Sequence, residues 1–215
     1  GWASIAQMYV PFLIMLPFAL YRKLDGGSFG LDYPFIGLLM GGGIAFYANS
    51  FLLTDVVRAL ILFYMTPVWA TIFELIFLRQ KIHWGRGVSL ILALSGVWIV
   101  FSQGFSFPFP QNVGDWVAII GGMLFAGGAV RTDIIQPKNI FSLLLSFFFF
   151  GGLVTVIFAI LFGNVMGPIP SYESLLTMLP WLVLISLVFL IPTNIVILWS
   201  PSIIGAGLYS IIILS

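Results

Sequence analysis

The chain has 215 residues, of which 61% are hydrophobic and only 7% are charged, and its formal net charge is +1. Soluble domains carry about 25% charged residues because a polar shell must cover the core, so this composition excludes a soluble protein and predicts an integral membrane protein. The small net charge argues against a nucleic-acid partner, and the absence of cysteine with a single histidine, His83, leaves no basis for disulfides, thiolate chemistry, a metal site or a cofactor.

Long apolar runs follow one another along the chain. About 20 apolar residues in a helix cross a bilayer, and the alternating pattern of a β-barrel is missing. We therefore predict an all-α bundle with eight helical segments, at residues 3–21, 34–54, 56–78, 86–102, 114–135, 139–163, 176–199 and 201–215.

The last two segments form one uncharged stretch of 42 residues, Ser174–Ser215, which is too long for a single crossing. We place a break at Trp199–Ser202, because Pro201 removes a backbone donor and disfavours helix before it. The final segment then has 15 residues, which is too short to span, so we expect the given sequence to stop inside a helix. The first segment has no leading charge, so residues can be missing there too.

Basic residues indicate the sidedness. Seven of the eight fall on one side of the membrane if the segments alternate, and only Arg58 falls on the other; the seven are Arg22, Lys23, Arg79, Lys81, Arg86, Arg131 and Lys138. We expect these basic loops to face the cytoplasm, in a multi-pass protein of a bacterial inner membrane. Asp55 is placed to pair with Arg58 at the outer hairpin, and most other acids are expected in solvated loops or segment ends.

Polar residues lie in stripes inside four of the segments, often beside a proline. Such residues face protein or water rather than lipid, so interhelical hydrogen bonds and a shared wet cavity are both open for each of them. Tyrosines could add aromatic faces suited to organic substrates, although aromatics also face lipid. The substrate-cavity candidates are Gln7, Tyr9, Tyr47, Asn49, Ser50, Tyr64, Pro67, Thr71, Thr193, Asn194 and Tyr209.

Small residues recur at four-residue spacing, as in Gly37, Gly41 and Ala45. Helices in lipid associate by close contact at small residues, because the hydrophobic effect does not drive them out of lipid. These sets predict packing faces, and they also leave open that helices slide on one another in a transport cycle.

The stretch Arg58–Lys81 carries Ala59, Leu62, Thr66-Pro67, Ala70 and Glu74, followed by a basic turn and Gly85. With the next stretch, GVSLILALSGVWIVF, it resembles the fourth and fifth helices of the EamA-type branch of the drug/metabolite transporter superfamily. The resemblance is in register over about 45 positions, and the rest of the chain matches by segment lengths and hairpins.

This resemblance implies ten helices in two inverted five-helix repeats, of which the eight segments would be helices two to nine. Residues 1–102 would form the first repeat and 114–215 the second, with Asn49 matching Asn194 and Tyr64 matching Tyr209 at an offset of 145. It implies a secondary transporter of small organic solutes (amino acids, metabolites or drugs), expected to be an exporter that works by alternating access around a central cavity.

Two interpretations of Glu74 stay open. As an acid near the end of its helix it can be structural, accepting hydrogen bonds from a neighbouring helix end, or it can titrate and couple transport to protons.

Other function classes are disfavoured by the residues. An enzyme would need a Ser/His, paired-Asp or metal constellation, and no two acids share a span. A channel would need a filter motif or a charged pore stripe. The remaining alternative is a membrane scaffold that does not transport.

Overall fold

The computed structural model describes residues 1–21, 30–78, 84, 87–88, 91–92, 95 and 110–213. These residues form helices and turns, with no strand among them, which confirms the predicted all-α fold. The α-helices are α1 (Trp2–Tyr21), α2 (Asp32–Ser50), α3 (Val56–Phe63), α4 (Thr66–Phe73), α5 (Val113–Ile135), α6 (Ile140–Leu161), α7 (Tyr172–Ile185), α8 (Ile191–Trp199), α9 (Pro201–Ile204) and α10 (Ala206–Ile213). Two π-helical turns, Glu74–Leu78 and Ser186–Leu190, continue α4 and join α7 to α8.

Within this described part, five helical stretches are long and apolar enough to cross a bilayer: Trp2–Tyr21, Val56–Leu78, Val113–Ile135, Ile140–Leu161 and Tyr172–Ile204. Helix α2 is absent from this set because glycines and polar residues occupy much of it. It packs closely against α5 and α6, and about half of its residues are buried.

Side-chain caps set where several helices begin. Asp55 accepts hydrogen bonds from the backbone of Val57 and Arg58 at the start of α3. Asn112 and Asn139 cap α5 and α6 in the same way, each accepting from the backbone N–H three residues on. These local bonds satisfy N–H groups that a helix start leaves without intrahelical partners.

Glycines bring α2 into contact with α5 and α6. Gly37 lies against Ser146, where an added Cβ would come within 2.6 Å of the backbone of α6. Gly43 lies against Gly121 and Phe125 of α5. The order of these contacts shows that α2 runs parallel to α6 and antiparallel to α5. The predicted small-residue faces are therefore packing surfaces in this structure.

The helices α2, α5 and α6 form a trio, and an ion pair lies at each end of it. At the Arg131 end, the Arg131 guanidinium pairs with Asp32 at 2.6 Å, and both side chains are about 40% exposed. At the opposite end, which we call the Asp115 end, Arg58 pairs with Asp115 at 2.6 Å, and both side chains are buried. The Asp32–Arg131 pair joins the start of α2 to the end of α5, as expected for antiparallel helices. Most of the basic loop residues, Arg22, Lys23, Arg79, Lys81 and Arg86, lie outside the described residues.

The structure corrects several predicted boundaries. The second segment leaves its helix at Ser50 rather than residue 54. The third is interrupted at Tyr64–Met65. Pro67 lies in the first turn of α4 and has no backbone N–H, so it cannot make the hydrogen bond that would continue the helix from the preceding turn. Most of the predicted segment 86–102 lies outside the described residues.

The last stretch turns at a residue beyond the predicted break. Ser200 keeps helical dihedrals beside Pro201, and the chain turns at Gly205, whose φ of +79° lies in the region that favours glycine. Pro201 occupies the first turn of α9, where a proline is tolerated. The predicted break at Trp199–Ser202 thus coincides with the boundary between α8 and α9 at Ser200, but the prediction missed the turn at Gly205.

Candidate substrate cavity

Two parts of the chain that are far apart in sequence line a half-open cavity of about 200 Å³, at whose edge Phe189 is 63% exposed. Gln7 of α1 and Thr193 and Asn194 of α8 line it together. Among the described residues, the rest of the lining is apolar, partly aromatic and without a charged side chain; these residues are Met8, Ile44, Phe147, Phe148, Phe189, Leu190 and Ile197. The structure thus brings together three residues that the sequence singled out separately.

The cavity lies near mid-depth of the bundle. Phe147 is seven residues into α6, or about 11 Å along that helix, and Gln7 is five residues into α1, which runs the other way. On the α8 side, the π-helical turn Ser186–Leu190 and Pro192 interrupt the regular helix beside the cavity. Irregular backbone of this kind is tolerated in a membrane where it borders a cavity or packs on protein.

Asn49 and Asn194 share a local geometry. The Asn49 side chain donates to the carbonyl of Ala45 at 2.7 Å, and the Asn194 side chain donates to the carbonyl of Leu190 at 2.8 Å. Each amide therefore bonds four residues back along its own helix. Their surroundings differ, because Asn49 is fully buried and also accepts from the Ser4 hydroxyl, whereas Asn194 borders the cavity.

Two candidate tyrosines end a row of aromatic rings in the core. Tyr47 stacks on Phe63 with ring centroids 4.1 Å apart, and Phe63 contacts Phe125. Phe125 in turn stacks on Tyr209 at 6.3 Å. The Tyr209 hydroxyl is buried and makes no hydrogen bond with any described residue. This row joins α2, α3, α5 and α10.

The remaining candidates lie apart from the three cavity residues. Tyr9 packs against Gly152, where an added Cβ would meet its ring. Ser50 and Thr71 are buried and donate to backbone carbonyls of their own helices. Pro67 is buried in α4, and Tyr64 is 41% exposed at the end of α3.

The Glu74 carboxylate is buried and lies at the start of α10. Its Oε1 accepts a hydrogen bond from the backbone N–H of Gly207 at 2.5 Å. The turn at Gly205 makes this N–H available, because α10 begins at Ala206 and the first N–H groups of a helix have no intrahelical partner. A negative group there is also favoured by the helix dipole.

A buried polar cluster at the Asp115 end was missed by the sequence reasoning, which placed Arg58 with Asp55. Asp115 is fully buried and accepts from Arg58, from the Thr54 hydroxyl at 2.6 Å and from the Gln111 backbone at 2.8 Å. The signal was available, since Arg58 is the one basic residue predicted on that side and Asp115 opens a helix there.

The fold defines a polytopic α-helical membrane protein, and its half-open cavity is lined by apolar side chains and three uncharged polar ones. Residues 2–102 match the model of the EamA-like transporter family. This match covers slightly less than half of the chain, and it agrees with the resemblance to the drug/metabolite transporter superfamily that the sequence indicated. The family is one of small-molecule transporters. No curated protein sequence matches the chain significantly.

Proposed function

We propose that the protein is a secondary transporter of small organic solutes, and that the cavity lined by Gln7, Thr193 and Asn194 is its substrate site. The single observation that supports this most is that polar groups from both halves of the chain meet in one mid-depth cavity beside an interrupted helix. Transporters with internal repeats bind substrate near the midplane, at the repeat interface, next to discontinuous helices. The halves that we propose as repeats are residues 1–102 and 114–215.

The size and chemistry of the cavity favour a particular class of solute. Drug-sized ligands occupy pockets of about 300–1,000 Å³, whereas this cavity has about 200 Å³. Its amide and hydroxyl groups sit among phenylalanines, without a charged side chain. We infer that it takes solutes of amino-acid size that carry no net charge and have an apolar portion, moved outward by alternating access.

Saturable counterflow in proteoliposomes tests the transport activity itself. Proteoliposomes that contain the protein are preloaded with one unlabelled solute at a time, from a panel of neutral amino acids and metabolites of similar size. The entry of the same solute in labelled form is then measured. We expect saturable exchange for at least one solute. A scaffold protein would give no counterflow with any of them, and in that case the proposed function would be rejected.

Asn194→Ala and Thr193→Ala test the site. Each removes a polar group from the cavity wall, so we expect the KM of the counterflow substrate to rise about tenfold, consistent with loss of roughly 1.4 kcal/mol of binding. Thr177→Ala is the matched control, because the Thr177 hydroxyl also bonds four residues back but is exposed on α7. Equal kinetics in all three variants would show that solute does not contact this cavity.

For Glu74 we propose the structural role. Glu74→Ala removes the charged acceptor of the Gly207 N–H, and we expect the free energy of unfolding in detergent to fall by about 1.5–3 kcal/mol. Glu173→Ala is the control, because Glu173 is an exposed acid on α7 and its loss should change stability little. Proton coupling predicts a different result: Glu74→Gln would abolish uptake driven by a pH gradient and leave exchange intact.

A further inference from the structure

A second concave surface lies between α2, α4 and α5, away from the cavity described above. This groove has a volume of about 490 Å³ and is lined almost entirely by apolar side chains, among them Phe35, Phe77, Ile120 and Ile134. These four side chains are also substantially exposed, so the groove opens on the outer surface of the helices, where a spanning protein meets lipid. Of the described residues that line it, Arg131 alone is charged.

The groove runs lengthwise along α5. Its lining on this helix extends from Ile120 to Ile134, which corresponds to about 21 Å. One leaflet contributes about half of the roughly 30 Å of hydrocarbon in a bilayer. The groove is therefore somewhat longer than the hydrocarbon of one leaflet, and it reaches from beyond the middle of α5 to the Arg131 end of the bundle.

The Arg131 side chain is about 40% exposed, and described residues occupy only part of its hydrogen-bonding capacity. One terminal nitrogen donates to Asp32 Oδ1 at 2.6 Å, while its Nε is buried and makes no hydrogen bond with any described residue. A guanidinium has five N–H donors and can bind a phosphate through two of them at once. Lys138, also exposed, follows α5 at the same end of the bundle.

The geometry points to a binding site for an anionic phospholipid of the surrounding bilayer, with an acyl chain in the groove and the phosphate at Arg131. Because the lining is apolar, an acyl chain can enter the groove without burying an unsatisfied polar group. The arginine supplies the positive charge that selects an anionic headgroup. Asp32 competes with the phosphate for the same guanidinium. This site is separate from the proposed substrate cavity and does not depend on transport.

Native mass spectrometry of the purified full chain tests the site, with phosphatidylglycerol and phosphatidylcholine of identical acyl chains as probes. We expect phosphatidylglycerol to bind at least about fivefold more tightly, the effect of one cation near a lipid headgroup. Arg131→Gln should abolish this preference, and Asp32→Asn should increase it. Lys138→Gln, which removes a charge at the same end outside the groove lining, should leave it unchanged.

Filling the groove tests the acyl-chain part. Gly127 lines the groove and an added Cβ there meets only the Phe73 ring, at 3.7 Å, so Gly127→Leu should be accommodated and should weaken binding of both lipids. Gly163→Leu is the control, because Gly163 has open space around it at the other end of α6. An equal loss of the phosphatidylglycerol preference in Arg131→Gln and Lys138→Gln would indicate unspecific attraction to the surface. Unchanged binding in Gly127→Leu would show that protein covers the groove. Either result overturns the proposal.

Discussion

Asp115→Asn is expected to lower the free energy of unfolding by about 3–5 kcal/mol, the range measured when one partner of a buried ion pair is removed. Asparagine keeps the size of the side chain but takes the carboxylate from the buried Arg58 guanidinium and from the Thr54 hydroxyl. The effect should appear as early loss of the folded protein when it is heated or titrated with denaturant in detergent.

The exposed ion pair at the other end of the bundle provides the control. Asp32→Asn breaks a pair of the same 2.6 Å length whose side chains are about 40% exposed, and such pairs contribute about 0–1 kcal/mol. Replacing both buried partners, as in Arg58→Met with Asp115→Leu, should cost less than the sum of the single changes. If Asp115→Asn and Asp32→Asn cost the same, burial does not determine the strength of these pairs here.

Gly41→Ala is the second change with a large expected effect. An added Cβ at Gly41 would overlap the carbonyl oxygen of Phe147 and lie 3.0 Å from the backbone nitrogen of Gly151, so α2 and α6 must move apart. Overpacking of this kind costs about 1–3 kcal/mol, and we expect the upper end because backbone atoms, not flexible side chains, are in the way. The measurement is again unfolding in detergent, together with the yield of monodisperse protein.

Its control is the next residue along the helix. At Gly42 an added Cβ would make an ordinary contact of 3.5 Å with the Val154 side chain, so Gly42→Ala should be neutral or should stabilise α2, because alanine has the higher helix propensity. Comparable losses at both positions would mean that helix flexibility, rather than close packing, is what the glycines provide.

The sequence predicted the all-α membrane fold because hydropathy is averaged over the length of a whole helix, so errors of a few residues at a boundary do not change the class of fold. Glycine spacing likewise indicated that Gly37 and Gly41 form a packing face, since close helix contact requires small residues. Neither pattern specifies which helix is the partner. The parallel contact of α2 with α6 depends on tertiary arrangement, and only the structure shows it.

The site was predicted less well, for an identifiable reason. Polar residues inside spans were correctly expected to need partners, but a single sequence does not distinguish an amide that bonds another helix, such as Asn49, from one that borders a cavity, such as Asn194. Both even make the same bond to their own helix. Asp115 was expected in a solvated helix end because its burial comes from loop residues and from Arg58, which hydropathy does not record.

The trio α2, α5 and α6 is joined by glycine contacts along its length and by an ion pair where α2 meets α5 at the Arg131 end, so it is poorly suited to being a moving part. The stretch Tyr172–Ile204 is much less closely packed, because only 11% of its most apolar 18-residue part is buried. If the protein carries solute, we therefore expect the helical stretch Tyr172–Ile204 to move during the transport cycle, while α2, α5 and α6 stay fixed relative to one another. The Asn194 amide and the Thr193 hydroxyl would move with this stretch, while Gln7 would keep its place with α1.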